Sequence, residues 1–189
     1  MLHAAMTNKK VLDLACGEGW FARWCIRNGA FAIDACDISA NMLRTAENRT
    51  SPPKLSADTE NPPALRGLIS YSRIDLKRVK LQPATYDLVF SGLALHYVKD
   101  IQNVITQVHE SLVPGGLFVF SIQHPCVTAL KDPGFMLSWN SKARVNQWTV
   151  DSYYNESERI TEVDEDYVDG GAPAWMVAGE KRQHRTLST

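Results

Sequence analysis

Between residues 13 and 19 the chain reads Asp-Leu-Ala-Cys-Gly-Glu-Gly, an acid followed by two closely spaced glycines. An apolar run, Val11 to Leu14, leads into it. From Trp20 onward, Phe21, Trp24 and Cys25 fall on one face at helical spacing. Glycines at a strand-to-helix turn let the backbone approach a ligand closely, and the helix start offers free N–H donors. Asp37 ends the next apolar run, 18 residues beyond Gly19. That is near the ~20 expected of a carboxylate that grips a ribose diol. The spacing alone leaves three readings open. They are a nucleoside ligand held by Asp37, a nicotinamide dinucleotide (Gly17-x-Gly19-x-x-Ala22 satisfies a loose fingerprint), and a plain structural turn.

The elements that must position these residues follow from the pattern around them. Val11 to Leu14 is the first strand, and the helix from Trp20 is stopped by Gly29. Ala30 to Cys36 is a second strand closing on Asp37, and Ser39 is placed to cap a short helix carrying Met42, Leu43 and Ala46. Asn48 to Arg66, with Pro52, Pro53, Pro62 and Pro63, reads as a long surface loop. Leu68 to Ser72 is a third strand running towards Asp75, and Tyr86 to Ser91 a fourth. Asp100 caps a helix with Ile101, Val104, Ile105, Val108 and Leu112 at the 3.6 period. Pro114-Gly115-Gly116 reads as a turn before a fifth strand, Leu117 to Ser121.

Strand and helix alternate from residue 11 to 121. This predicts an α/β fold, a three-layer, Rossmann-like, doubly wound and mostly parallel sheet. Right-handed crossovers bring the strand C-termini to one edge, where such sheets bind ligands. The loops after Leu14, Cys36, Ser72, Ser91 and Ser121 gather there. Residues 1–189 read as a single domain, with a cofactor-binding core at 10–121 and a substrate-side cover at 122–189. The cover is rich in Trp, Tyr, Pro and acidic side chains.

Bulk properties exclude several classes. Net charge is −1 with no basic stripe, so nucleic acid is not an expected partner. No run approaches the ~18 apolar residues of a membrane span, and the N-terminus lacks a secretory pattern. A cytoplasmic protein is the expectation. Cys16, Cys25, Cys36 and Cys126 form no CxxC pair, so no metal site is expected.

Five blocks in order carry a resemblance: VLDLACGEGWFARW, CDISANML, the Asp75 region, YDLVFSGLALHYVKD and LVPGGLFVFSIQHP. Together they resemble class I S-adenosylmethionine-dependent methyltransferases, and more narrowly the methyltransferase type 11 group. GEKRQHRT resembles that group's C-terminal segment. The resemblance implies S-adenosylmethionine as cofactor, S-adenosylhomocysteine as product and a small-molecule acceptor. By implication Asp13, Ala15, Gly17 and Gly19 surround the methionine part, while Asp37 takes the ribose hydroxyls with Ile38 against the adenine. Asp75 accepts from the adenine amino group beside the Leu76 backbone, and Ser91 lies next to the methionine moiety. For Asp75 a helix cap or solvated loop acid is the competing reading.

Against the family's pattern, the helix ahead of the first strand and the closing helix and strand pair are expected to be missing. The fifth strand is therefore expected as an exposed edge through which copies of the chain associate. Methyl transfer is an in-line displacement that depends chiefly on alignment, so a catalytic base is optional. His96 and His124 are the candidates for one, and His184 is expected near the surface. Trp139, Trp148, Tyr153, Tyr154 and Trp175 are candidates for the acceptor pocket, with core packing as the alternative role. Two further functions stay open: a cofactor- or partner-binding module without catalysis, and an NAD-linked oxidoreductase, although Tyr71 is followed by Asp75 where a Tyr-x-x-x-Lys relay would place lysine.

Overall fold

The computed structural model describes residues 6–50, 68–129, 138–140, 145–147, 153–160 and 181–186. The chain forms two compact units, Met1–Leu95 with Asp100–Ser121, and His96–Lys99 with Ile122–Thr189.

The first unit holds a five-stranded parallel sheet. Its strands are β1 (Lys10–Leu14), β2 (Ala32–Asp37), β3 (Ile69–Arg73), β4 (Tyr86–Gly92) and β5 (Leu112–Ser121), in the order β3-β2-β1-β4-β5. Its helices are α1 (Trp20–Arg27), α2 (Ala40–Thr50) and α3 (Ile101–Ser111). The chain winds outward from β1 in one direction and from β4 in the other. The order therefore reverses between β1 and β4, the point beyond whose strand C-termini open α/β sheets bind ligands.

Register explains the apolar strand sequences. Val11 pairs with both Ile33 and Leu88, and Asp13 with both Ala35 and Phe90, so these residues share one face. Val11, Ile33, Ala35, Ile69 and Leu88 form one core with Phe21, Ala22, Cys25 and Ile26 of α1 and Leu43 of α2. Phe21 stacks on Phe90 with ring centroids 3.8 Å apart. Leu12, Leu14, Cys36 and Val89, of the other parity, are buried too, which is why the strands do not alternate with polar residues. Each such apolar side chain contributes about 1.5–3 kcal/mol on burial. The right-handed crossover from β4 to β5 puts α3 on this second face, where its Val104 and Val108 are buried.

The expected punctuation is in place. Gly29 adopts φ 91° behind α1. Ser39 Oγ accepts from the Met42 amide at 3.3 Å, and Asp100 accepts from the Asn103 amide at 3.1 Å. Two local readings need correction. Helix α2 runs on to Thr50, because Thr50 is buried and its hydroxyl bonds both the Ala46 carbonyl and the Tyr71 hydroxyl. Residues 51–67 of the expected loop lie outside the described residues. The Pro114-Gly115-Gly116 turn is absorbed within β5. Tyr86 pairs with Leu112 and Leu88 with Leu117, so the extra residues bulge out between these pairs. Gly115 supplies φ 81°, and a Cβ on Gly116 would meet the Val113 and Tyr86 carbonyls at 2.9 and 3.1 Å. Asp75 caps a one-turn 3-10 helix, Leu76–Arg78, by accepting from the Lys77 amide at 3.0 Å. Among the described residues β5 is an edge strand, with Leu117, Val119 and Phe120 exposed.

The second unit contains α4 (Pro125–Thr128) and two antiparallel pairs. One joins β6 (Ser138–Asn140) to β7 (Val145–Gln147), the other β8 (Glu158–Ile160) to β9 (Lys181–Gln183).

Candidate functional site

The turn after β1 is built from three left-handed residues, Ala15 (φ 58°), Gly17 (φ 54°) and Gly19 (φ 73°). An alanine in that region costs about 1 kcal/mol, so the surroundings must hold the turn in place. They do so through its amides. Cys16 N–H donates to the Cys36 carbonyl at 2.9 Å, and Gly17 N–H to Asp37 Oδ2 at 2.9 Å. Gly19 N–H donates to the Cys16 carbonyl at 2.9 Å. Asp37 Oδ1 accepts from the Ser39 amide at 2.8 Å, so one carboxylate ties the turn after β1 to the start of α2. Each of its oxygens retains a further lone pair for a hydroxyl donor.

The two glycines serve different ends. A Cβ built on Gly17 meets nothing within 4 Å, so open space lies above it. One built on Gly19 would stand 2.5 Å from the Tyr71 hydroxyl and 3.1 Å from Ala46 Cβ, so that glycine lets α1, α2 and β3 close on one another.

Asp13 is buried on the α1 face of β1. The Ala22 amide donates to its carboxyl, which makes Asp13 a cap of α1 from outside the helix, and Oδ2 has no hydrogen-bond partner among the described residues. Burial pushes its pKa up to about 7; the Ala22 bond opposes the rise and the Asp37 charge adds to it. Ser91, at the end of β4, is also fully buried with a hydroxyl lacking a partner. Burial raises the thiols of Cys16, Cys25 and Cys36, which leaves them protonated and unreactive.

Ile38, directly after Asp37, is 57% exposed, and Asp75 stands at the end of β3 with its side chain in the cap described above. Leu76 turns its own side chain into the core. The first unit thus brings Asp13, Ala15, Gly17, Gly19, Asp37, Ile38, Asp75 and Ser91 to the C-terminal edge of β1 to β4. This edge offers carboxylates, a hydroxyl and apolar surface. The amides of Cys16, Gly17 and Gly19 are spent internally, so a phosphate would meet the Asp37 carboxylate and none of these donors. A ligand carrying hydroxyls and positive charge fits it better.

Three features that the sequence does not reveal lie at this strand edge. Arg23 donates to the Glu18 carbonyl at 2.6 Å, Glu18 pairs with Arg49, and Leu93 holds φ 52° behind β4 with its amide on Ser121. An arginine in an amphipathic helix carries no mark of facing a loop carbonyl, and a leucine none of left-handed backbone.

In the second unit His96 is buried and neither ring nitrogen has a partner among the described residues. Burial, with a smaller contribution from Arg182, lowers its pKa to about 4, so the ring is neutral near pH 7. His124 is exposed and caps α4, its Nδ1 accepting from the Cys126 amide at 3.2 Å. An accepting Nδ1 leaves the proton on Nε2. The expected surface position of His184 is corrected. It is buried, with Nδ1 at 2.8 Å from the Thr128 hydroxyl and Nε2 donating to the Tyr153 carbonyl at 2.7 Å. The Tyr153 ring packs edge-on against His184 and Tyr154, and Tyr154 is almost wholly exposed. Trp139 lies in β6, while Trp148 and Trp175 fall outside the described residues.

Comparison with known proteins agrees with this geometry. The family described as a methyltransferase domain matches residues 12–120. The crystal structure of an S-adenosylmethionine-dependent methyltransferase from Mesorhizobium loti superposes with a TM-score of 0.71 at 32% identity, covering 98% of this chain and 73% of that one. A malonyl-[acyl-carrier protein] O-methyltransferase of Enterobacter lignolyticus is 30% identical over 112 residues, 59% of this chain and 38% of its own length. An uncharacterized protein of Haemophilus influenzae is 26% identical over 155 residues, 82% of this chain and 57% of its own length. The chain thus spans about half the length of these curated relatives.

Two outcomes follow from the geometry. Between about pH 4 and 7 the unfolded chain ionises Asp13 while the folded protein keeps the proton, so stability falls as pH rises through that window and levels off above it. Asp13→Asn keeps an acceptor for Ala22 and removes the titration. Relative to this variant, the wild type should lose about 3 kcal/mol in urea melts between pH 5 and pH 8; parallel profiles would refute the buried proton. In thermal melts, Gly17→Ala should cost about 1 kcal/mol for its backbone alone. Gly19→Ala should cost a further ~1–3 kcal/mol for displacing Tyr71, and equal losses would contradict the packing role of Gly19.

Proposed function

We propose, since this chain belongs to the class I S-adenosylmethionine-dependent methyltransferases, that it moves a methyl group from that cofactor to a small-molecule acceptor. The observation that carries this reading is the polarity of the turn after β1. Its amides at 16, 17 and 19 are spent on the fold, and the Asp37 carboxylate stands there in place of phosphate-binding donors. That polarity argues against a nicotinamide dinucleotide, whose pyrophosphate needs free donors at a helix start.

In this reading Asp37 accepts from both ribose hydroxyls with the lone pairs its amide partners leave free. Ile38 offers its exposed apolar surface to the adenine, with Asp75 and the Leu76 backbone at the amino edge. Asp13, Ala15, Gly17, Gly19 and Ser91 surround the methionine portion. Gly17 gives it room, Gly19 acts through the packing that fixes the turn, and Ser91 and Asp13 offer the partnerless oxygens. The cofactor supplies a methyl group already attached to a good leaving group. The protein's task is to align it with the acceptor atom, which can lower the barrier by roughly 7–11 kcal/mol.

His96 and His124 are proposed to orient the acceptor, each as a neutral ring. His96 has both nitrogens available, and His124 offers the Nε2 proton. Trp139, Trp148, Tyr153 and Tyr154 are proposed around the acceptor. A cytoplasmic location, a single domain over 1–189 and self-association through the β5 edge belong to the same reading. No described helix is long and apolar enough to cross a membrane.

Titration calorimetry tests the cofactor. S-adenosylhomocysteine should bind and NAD should not, and Asp37→Ala should weaken binding at least tenfold. Saturable NAD binding without S-adenosylhomocysteine binding would reverse the assignment. With an acceptor in hand, His96→Ala or His124→Ala should lower kcat by about 100-fold while leaving S-adenosylhomocysteine affinity within twofold. A histidine whose loss leaves turnover intact has no part in the reaction.

A further inference from the structure

We propose that Arg23 is a positioning residue, a clamp that holds the turn after β1 in its ligand-ready shape; the inference rests on the cofactor reading above. Arg23 lies in the second turn of α1, where the amphipathic pattern predicts an ordinary surface charge. Instead its side chain is only 8% exposed, and its guanidinium reaches back to the Glu18 carbonyl at 2.6 Å. Glu18 is the residue between the two left-handed glycines, so fixing its carbonyl fixes the orientation of the Glu18–Gly19 peptide plane.

The charged head lies near the Tyr71 hydroxyl, which is 2.9 Å from the Thr50 hydroxyl at the end of α2 and fills the space a side chain at position 19 would need. On the solvent side the Glu18 carboxylate pairs with Arg49 of α2. Glu18 is thus gripped at its carbonyl from within and at its side chain from without, by groups on α1 and α2. Three left-handed residues in five need such external definition, because nothing in their own conformational preference selects this arrangement. The guanidinium suits the task because it is always charged and presents several N–H donors in a fixed plane.

Two measurements on the full chain test the clamp, one with ligand and one without. In calorimetry with S-adenosylhomocysteine, Arg23→Met should weaken binding at least tenfold. Arg23→Lys, which keeps one charged donor, should recover part of that loss. Ile26→Ala, a buried change on the same helix away from the turn, should bind within twofold of wild type even where it melts as low as Arg23→Met. In hydrogen exchange without ligand, the amides of residues 16 to 19 should exchange at least tenfold faster in Arg23→Met than in wild type, with Arg23→Lys between them. Should Arg23→Met not fold, Arg23→Lys carries the same comparison with a smaller effect in the same direction. Exchange at 16 to 19 that matches wild type, or an Ile26→Ala variant that loses binding as Arg23→Met does, overturns the proposal. Failure of the wild type itself to bind overturns the cofactor reading, and the exchange measurement then still decides the fate of the clamp.

Discussion

The carboxylate of Asp37 is the constraint on which the ligand edge depends. One oxygen takes the Gly17 amide at 2.9 Å and the other the Ser39 amide at 2.8 Å. A single side chain thereby fixes the height of the turn after β1 and the direction in which α2 departs from β2. Without it, a left-handed turn beside a strand end would have several arrangements of similar energy. With it, the turn, the start of α2 and the two carboxylates share one geometry. Charge-assisted bonds of this kind are short and strong relative to neutral ones, which suits them to a role in which position matters more than stability.

The second carboxylate has a different physical status. Asp13 lies in the α1 interior, its carboxyl joined to Ala22, and sits close enough to Asp37 for the two charges to oppose each other. Burial of an ionised group is expensive, so this acid keeps its proton to near neutrality instead of ionising alone. A cation at the edge would supply the missing counter-charge. The same turn therefore discourages phosphate and rewards positive charge, although its glycine spacing resembles that of dinucleotide-binding turns. Spacing records where the backbone bends; only the hydrogen-bond partners record which ligand the bend can receive.

Much of the fold was legible because its signals are local or periodic. The left-handed stop at Gly29, the caps at Ser39 and Asp100 and the apolar runs of β1, β2 and β4 each follow from residues within one turn or one strand. The departures all depend on distant partners. Pro114 to Gly116 has every local mark of a turn, yet the pairing of Tyr86 and Leu88 across the sheet makes it a bulge within β5. His184, near the chain end, reads as surface until Thr128 and Tyr153 are seen to enclose it. At the site itself, the glycine turn and Asp37 stood out by spacing, which left a nucleoside, a dinucleotide and a plain turn open. The inward turn of Arg23 and the left-handed backbone of Leu93 did not stand out, since neither residue type advertises such a conformation.

The contact between Gly19 and Tyr71 has a consequence for how this family member can change over time. A methyl group at position 19 and the phenol at 71 compete for one volume, with 2.5 Å between the sites they would occupy. The two positions are therefore a single steric unit, although 52 residues separate them in the chain. Drift at 19 towards any side chain requires a smaller residue at 71. That exchange would remove the hydroxyl that Thr50 bonds. A side chain at 19 is therefore tolerated best when 71 has already shrunk, and the helix end that meets there would have to find a new partner.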